Sequence, residues 1–308
     1  MPLRDHVTQP SRSKSASGGS GSNGDGPRGF GVFGGVFTPC TLTILGVIMF
    51  LRFGQVIGNA GVLATIAIVL LAKTITTLTA LSLSAIATNT RVRGGGAYFL
   101  ISRSLGAEFG GSIGVVFFLA QAISVAMYVL GFTEAFMAVL PDTGLSPTAV
   151  ATLVNIVVFV CVYIGAGWAI KMQYGILALL ALSLVSFFVG GLRVFSADVL
   201  QANWGPDYTE GQDFFTMFAL FFPAATGIMA GANMSGDLRD PAHAIPRGTL
   251  LSILVTGIVY LAIALVLGGA ADRLSLQEDT QIMRDVAAIP LLVTLGVFAA
   301  TLSSGLGS

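Results

Sequence analysis

LFFPAATGIMAGANMSGD, from Leu220 to Asp237, lies in an apolar run long enough to cross a membrane, yet it carries a proline and a glycine in its middle. Pro223 has no backbone donor, and Gly227, four residues later, permits backbone conformations that other residues avoid. Each unsatisfied backbone group is costly in hydrocarbon, so an interrupted helix there must face protein or a water-filled cavity. The stretch therefore predicts a broken transmembrane helix.

The composition is typical of a membrane protein, because 54% of the 308 residues are apolar, 10% are charged and 39 are glycine. Both cysteines, Cys40 and Cys161, lie in apolar runs and are predicted to be packing residues, not a disulfide or a metal site. The two histidines, His6 and His243, have no metal-ligand spacing. Basic and acidic residues balance at 15 each, and no nucleic-acid partner is predicted.

Residues 1–29 differ from the rest of the chain, because they contain the polar stretch SRSKSASGGSGSNGDG and almost no large apolar side chain. Such a segment cannot bury enough apolar surface to fold, so a disordered cytoplasmic tail is expected. No short apolar region with a cleavage site precedes it, and no signal peptide is predicted. Residues 30–308 are expected to form one transmembrane domain.

Crossing a bilayer takes about 20 mostly apolar residues. By that measure the chain contains seven complete segments and the start of an eighth, from about Ala287, that is still running at Ser308. The seven are Val32–Ile57, Val62–Ala87, Ser112–Leu140, Ala149–Gly165, Ile176–Leu192, Phe214–Asn233 and Leu250–Gly269. The loops on one side collect most lysines and arginines, which predicts a cytoplasmic N-terminus in a plasma membrane or a cell's inner membrane.

No pattern of catalytic residues was found, and an enzyme is not predicted. The chain has no nucleophile elbow, Walker loop, HExxH motif or pair of carboxylates inside a segment. The glycine run Gly94–Gly96 is not a phosphate cradle, since no strand precedes it. We interpret it as an inner loop that leads into a short amphipathic helix.

Segment one is interrupted as well as segment six. It contains GVFGGVFTPCTLTILGVIMFLRF, with polar Thr41 and Thr43 beside Gly46 in mid-run. Two interrupted helices five positions apart are typical of transporters built from inverted five-helix repeats, in which the breaks meet near the membrane midplane. Freed carbonyls then bind cations, and exposed amides bind anions. The alternative is a proline kink, with glycines that only allow close packing.

Five stretches carry a resemblance to a known family: LTILGVIMFLRF, LSAIATNTRVRGGGAYFLISRSLGAEFGGSIG, AMYVLGFTEAF, FFPAATGIMAGANMSGDLRDPAHAIPRGTL and TLSSGLGS. The chain resembles the cation–chloride cotransporters, in particular the sodium–potassium–chloride type, within the amino acid–polyamine–organocation superfamily. The resemblance implies an all-α, leucine-transporter-like fold of inverted five-helix repeats with helices one and six broken. It also implies an N-terminal fragment that stops within helix eight.

The resemblance implies a potassium site formed by Thr43, the Ile44 carbonyl, the Tyr128 hydroxyl, the Pro223 carbonyl and Thr226. Hard oxygen ligands suit a dehydrated alkali cation, so the physical chemistry is compatible. The family usually has asparagine at the position of Thr43, where a hydroxyl can still coordinate. Without the motif, packing is the favoured interpretation of Tyr128, since a tyrosine in an apolar helix is often only a packing aromatic.

Chloride in the family is held by backbone amides that follow each break. Backbone donors require no particular side chain, so small apolar residues are compatible with this role. The matching positions after the first break are Gly46, Val47 and Ile48, and those after the second are Gly227, Ile228 and Met229.

Sodium in the sodium-coupled branch is bound by carbonyls of helix one and by a serine pair of helix eight. The alternative for the serines is a hydrogen bond back to their own helix. The potassium–chloride branch typically has glycine in place of the second serine, so the pair favours sodium coupling. The matching positions are Leu42, Leu45, Ala300, Ser303 and Ser304.

Three charged residues remain open to two interpretations. Lys73, inside segment two, either reaches the interface or points into the bundle, and it differs from the small polar residue usual in the family. Glu134 either lines an outer vestibule or is a solvated helix-end charge. Arg52 either flanks that vestibule or lies at the interface.

The function implied by the resemblance is symport of chloride with sodium, potassium or both by alternating access, in contact with membrane lipid and with a homodimer as an option. Transported Na⁺, K⁺ and Cl⁻ are expected, without another cofactor or a resident metal. Two alternatives remain: an amino acid transporter on the same scaffold, and a non-transporting fragment. An amino acid would require room where Tyr128 and Ile44 close the potassium pocket.

Overall fold

The computed structural model describes residues 29–89, 95–164 and 166–307. The predicted tail lies outside the described residues except for Gly29, and so does most of the basic loop before Gly95. The described part of the chain contains helices and loops but no β-strand beyond one isolated bridge between Phe30 and Leu238. The fold is therefore all-α, as predicted.

Fourteen α-helices occur in the described residues, and a π-helical turn, Phe33–Phe37, leads directly into the first. In chain order they are α1 Thr38–Ile44, α2 Val47–Leu51, α3 Phe53–Asn89, α4 Gly96–Leu105, α5 Ala107–Val139, α6 Pro147–Ile164, α7 Ala166–Val194, α8 Ala197–Ala202, α9 Phe214–Ala225, α10 Ala230–Asn233, α11 Pro241–Ala270, α12 Arg273–Glu278, α13 Ile282–Asp285 and α14 Pro290–Gly307.

Seven helical stretches of the described residues are long and apolar enough to cross a membrane, and α6 is a shorter apolar helix between them. The chain is therefore a multi-pass membrane protein. The seven are Phe33–Leu51, Phe53–Asn89, Ala107–Val139, Met172–Val194, Phe214–Asn233, Pro241–Ala270 and Pro290–Gly307.

Four helices, α3, α5, α7 and α11, extend further than the apolar segments that predicted them. α11 begins at Pro241, nine positions before the predicted Leu250, because the Asp240 side chain accepts a hydrogen bond from the His243 amide and caps the first turn. α4 confirms the short helix expected after the glycine run. Hydrophobicity locates the part of a helix that lies in lipid, whereas caps determine where the helix begins.

The first and second predicted segments are joined at a sharp corner within α3. Gly61, inside α3, has φ +71°, and a Cβ there would collide with the backbone of residues 204 and 205. The amides of Val62 and Leu63 donate to the carbonyls of Asn203 and Trp204 at 2.9 and 3.2 Å. The corner lies between the predicted segments, and its backbone polar groups are satisfied by the loop after α8.

The core forms where the interrupted helices pack on α3 and α11. α11 lies along α3, and α14 packs on α5 and α7. The buried ring of Tyr260 lies against Phe53 and Phe221, with ring centroids 5.2 and 5.0 Å apart. These three aromatic residues connect α11, α3 and α9 beside both interruptions.

Candidate functional site

The first interruption lies between α1 and α2. α1 ends at Ile44, Leu45 has φ −86° and ψ +47°, and Gly46 is extended with φ −94° and ψ −150°. A Cβ on Gly46 would lie 3.1 Å from the hydroxyl oxygen of Ser304 on α14. The prediction of a break beside Gly46 is confirmed.

The second interruption follows Pro223 but does not begin at it. α9 continues through the proline to Ala225, Thr226 is extended, and Gly227 has φ +94° before α10 begins at Ala230. The carbonyl of Pro223 was expected to be free for a cation. Instead it accepts hydrogen bonds from the amide and the hydroxyl of Thr226, at 3.2 and 2.6 Å.

The two interruptions lie side by side. A Cβ on Gly227 would come within 2.7 Å of Thr43 Cγ2, so only glycine fits against the first break. The thiol of Cys40 on α1 donates to the Ile228 carbonyl at 3.4 Å. The tertiary structure thus brings together two segments about 180 residues apart in sequence, as expected for crossed broken helices.

Three of the five residues predicted to bind potassium line one cavity, which we call the break cavity. It has a volume of about 340 Å³ and includes Thr43, Tyr128 and Thr226 in its lining. The Thr43 hydroxyl donates to the Pro39 carbonyl at 2.8 Å, which leaves its oxygen lone pairs directed elsewhere. The remaining two predicted residues contribute differently: Ile44 is fully buried, and Pro223 lines another cavity.

Ile44 is held by a residue that the sequence analysis did not single out. Its carbonyl accepts a hydrogen bond from the Tyr260 hydroxyl at 2.8 Å. A carbonyl oxygen has two lone pairs, so this bond leaves one for another partner. The signal that could have identified Tyr260 was its place in a long apolar helix, where a hydroxyl requires a polar partner.

The positions predicted to bind chloride divide between two cavities. Gly227, Ile228 and Met229 line the break cavity, together with the potassium positions. Val47 and Ile48 line a second cavity of about 460 Å³, which we call the ion-pair cavity because it also contains Arg52 and Glu134. Gly46 lies at the N-terminus of α2, between the two.

Arg52 and Glu134 form a bidentate ion pair across the ion-pair cavity. The two guanidinium nitrogens lie 2.8 and 2.5 Å from the two carboxylate oxygens, and each side chain is about one third exposed (32% and 34%). The sequence left Glu134 open between a vestibule and a solvated helix end, and Arg52 open between a vestibule and the interface. The structure joins them, and so links the end of α2 to α5.

All five positions predicted to bind sodium are buried where α14 meets α1. The Ser304 hydroxyl donates to the Leu42 carbonyl at 3.2 Å, so this serine reaches across to the broken helix. The Ser303 hydroxyl oxygen is buried and has no hydrogen-bond partner in the described part of the chain. The five are Leu42, Leu45, Ala300, Ser303 and Ser304, with exposures between 0% and 3%.

Lys73 points into the helix bundle, which decides between its two interpretations. It is 8% exposed, and its ammonium nitrogen donates to the Thr256 hydroxyl at 2.8 Å. The same nitrogen lies 5.4 Å from the centroid of the Tyr260 ring.

In the described residues, no group of three or more histidine, cysteine, aspartate and glutamate side chains is arranged to hold a metal ion.

Comparison with known proteins places this architecture. Residues 35–308 match the family described as "Amino acid permease". The chain belongs to the amino acid permease family. This match confirms the leucine-transporter-like fold that was predicted from the sequence.

Similar curated proteins narrow the relationship within that family. "Solute carrier family 12 member 2" of Danio rerio is 40% identical, over 91% of this chain and 30% of that protein. "Solute carrier family 12 member 1" of Oryctolagus cuniculus and of Homo sapiens are 38% and 39% identical, with the same coverage. The predicted resemblance to the cation–chloride cotransporters is confirmed by these relatives. The chain spans about 30% of the length of the relatives that it matches.

Proposed function

We propose that this chain provides the ion-binding half of a secondary active symporter that couples chloride to potassium, sodium or both. The observation that carries the proposal is the contact between the two helix breaks, at Gly227 and Thr43, beside a cavity. Backbone left unpaired at membrane depth is tolerated only where it is buried or lines a cavity. A binding site for small ions explains why two spans are interrupted at the same place.

The cation is proposed to bind at the oxygen-lined side of the break cavity. Thr43, Tyr128 and Thr226 line this cavity and carry hydroxyl groups, and the Ile44 carbonyl retains one lone pair. Alkali cations are bound in membrane proteins by rings of neutral oxygens that replace water. For sodium, the buried hydroxyl of Ser303 supplies an oxygen without another partner in the described residues.

The anion is proposed to bind to the amides that follow each break. The residues Gly227, Ile228 and Met229 come before α10, and Gly46 comes before α2. Amide groups at a helix start carry partial positive charge and attract anions. A cation and an anion in adjacent positions reduce each other's electrostatic penalty in low dielectric, which is a physical reason for coupled transport.

Alternating access is proposed to involve the Arg52–Glu134 ion pair. With the N-terminus in the cytoplasm, this pair lies toward the outer face, while the break cavity reaches Thr79 and Gly307 in the inner halves of their helices. Opening the outer side would separate the two charges.

The proposal is tested by uptake of radioactive rubidium, a potassium substitute, into proteoliposomes that contain the full-length protein. Sodium and chloride are removed in turn, and Tyr128→Phe is measured beside the unmodified protein. Uptake that requires chloride and is reduced in Tyr128→Phe supports the proposal. If sodium has no effect, the role of Ser303 and Ser304 is packing. If rubidium is not taken up under any condition and labelled amino acids accumulate instead, ion symport is refuted.

An amino acid transporter is the second candidate, favoured by the size of the break cavity. A volume of about 340 Å³ exceeds what one dehydrated ion occupies and falls at the small end of organic ligand sites. The same vesicles therefore receive labelled amino acids. Accumulation of an amino acid without rubidium uptake would select this candidate.

A further inference from the structure

Lys73 places a positive charge in the middle of the second span, away from both interfaces. It is the only charged residue in the 37-residue helix α3, and it is buried against α11. No carboxylate lies within ion-pair distance of it in the part of the chain that the structure describes. Charged side chains at this depth are costly and are retained mainly where they act on an ion or proton pathway.

The amine is connected to the first helix break through a single side chain. Its nitrogen donates to Thr256 and lies over the ring of Tyr260, at 2.8 Å and 5.4 Å. The Tyr260 hydroxyl donates to the Ile44 carbonyl at 2.8 Å, and Tyr260 is completely buried. Only one aromatic ring thus separates the charge of Lys73 from the carbonyl proposed as a cation ligand.

The surroundings of Lys73 contain few groups that could change its charge or share it. Of the helices packed on α3, α9 carries no titratable side chain, and neither does α2. Among the charged and titratable residues of the others, only Tyr260 contacts the amine; the rest lie near the helix ends. They are Tyr98 and Arg103 of α4, His243 and Arg247 of α11, and Arg273 and Glu278 of α12.

We propose that Lys73 is a proton-binding site that sets the affinity of the first helix break for its cation. The charged amine repels a cation bound at the Ile44 carbonyl, and release of the proton to water removes that repulsion. At a separation on the order of 10 Å and an effective dielectric constant of about 20, one like charge weakens cation binding roughly tenfold. Cation affinity therefore rises as the pH rises. This inference rests on the proposed ion-symport function.

Two substitutions separate the charge of Lys73 from its bulk. Lys73→Met keeps an unbranched side chain of similar length without charge, and Lys73→Arg keeps a charge that does not titrate in proteins. The half-saturation concentration for rubidium uptake is measured in proteoliposomes that contain the full-length protein, from about pH 6 to pH 9. The pH is kept equal on the two sides of the vesicle membrane. Melting temperatures in detergent establish that each variant is folded.

The expected result is a distinct profile for each protein. The unmodified protein shows a half-saturation concentration that falls about tenfold with rising pH, Lys73→Met is low at every pH, and Lys73→Arg is high at every pH. The same pH dependence in Lys73→Met, or a flat profile in the unmodified protein, overturns the inference while rubidium uptake still supports symport. Absence of rubidium uptake in the unmodified protein overturns the inference, and accumulation of labelled amino acids in its place overturns ion symport as well. If Lys73→Met does not fold, the flat or sloping profiles of the other two proteins still decide.

Discussion

Substitution of Gly227 by alanine tests whether the two helix breaks are in contact as described. Gly227 has φ +94°, a region that other residues rarely adopt, at a strain of about 1–3 kcal/mol. The new Cβ would also lie 2.7 Å from Cγ2 and 3.0 Å from Cβ of Thr43. Forcing one methyl group into a packed site adds about 1–3 kcal/mol. We expect Gly227→Ala to lower the free energy of unfolding by at least about 2 kcal/mol.

Gly175→Ala is the matched control. Gly175 lies within α7, has no positive φ, and a Cβ there would meet nothing within 4 Å. Alanine is favoured over glycine in a helix interior by about 1 kcal/mol, so this variant is expected to be as stable as the unmodified protein or more so. The two variants add the same methyl group, one at the break and one on a regular helix.

The assay combines thermal unfolding of the purified protein in detergent with rubidium uptake into proteoliposomes. Gly227→Ala is expected to melt several degrees below the unmodified protein and to lose most uptake, because Thr43 and its neighbours must move. Gly175→Ala is expected to preserve both. Equal melting temperature and equal uptake for Gly227→Ala would refute the reasoning, since the backbone at this position would then not be held against the first break.

The Arg52–Glu134 pair is expected to contribute only about 0–1 kcal/mol to stability, since both side chains are about a third exposed. Arg52→Gln and Glu134→Gln should therefore barely change the melting temperature. In a double-mutant cycle, the effects of the two substitutions on the rate of uptake should not be additive. Ser304→Ala removes a buried hydrogen bond to the first span and should lower stability by about 1 kcal/mol. Ser303→Ala removes a hydroxyl that has no partner in the described residues, so it should not lower stability. Both substitutions should raise the sodium concentration needed for uptake. The amide and the hydroxyl of Thr216 donate hydrogen bonds to the Asp213 carboxylate, and these bonds hold the pKa of this carboxyl below its usual 3.8. The contribution of the Asp213 carboxylate to folding stability is present above its usual pKa and is lost as the pH falls through the lower pKa of the folded state. The melting temperature of Asp213→Asn should therefore fall less between about pH 5 and pH 2 than that of the unmodified protein.

The sequence was sufficient for the spans and for the existence of both breaks, because each depends on local composition. Apolar runs determine the spans, and Gly46 and Gly227 mark backbone that leaves the helix. The exact position of the second break was less predictable. Pro223 is accommodated inside α9, since α9 continues for two residues beyond it and the chain leaves the helix only at Thr226.

Contacts between distant parts of the chain could not be derived from the sequence. Arg52 and Glu134 are 82 residues apart, and each had a second interpretation: Arg52 as a residue at the interface and Glu134 as a solvated helix-end charge. Tyr260 and Ile44 are 216 residues apart, and no local pattern connects them. The direction of Lys73 was open for the same reason, because helical periodicity does not reveal which face of α3 meets α11.

The first break is stabilised by residues from two other helices, which makes the interruption a property of the whole bundle. The last carbonyls of α1 lack partners within their own helix, and at membrane depth water does not replace them freely. Tyr260 donates to the Ile44 carbonyl, and Ser304 donates to the Leu42 carbonyl. Since a carbonyl oxygen can accept twice, both bonds hold the break open without using up its capacity to bind a cation. Tyr260 thus stabilises the break without lining the break cavity, and substitutions at Tyr260 should alter affinity through the geometry of α1.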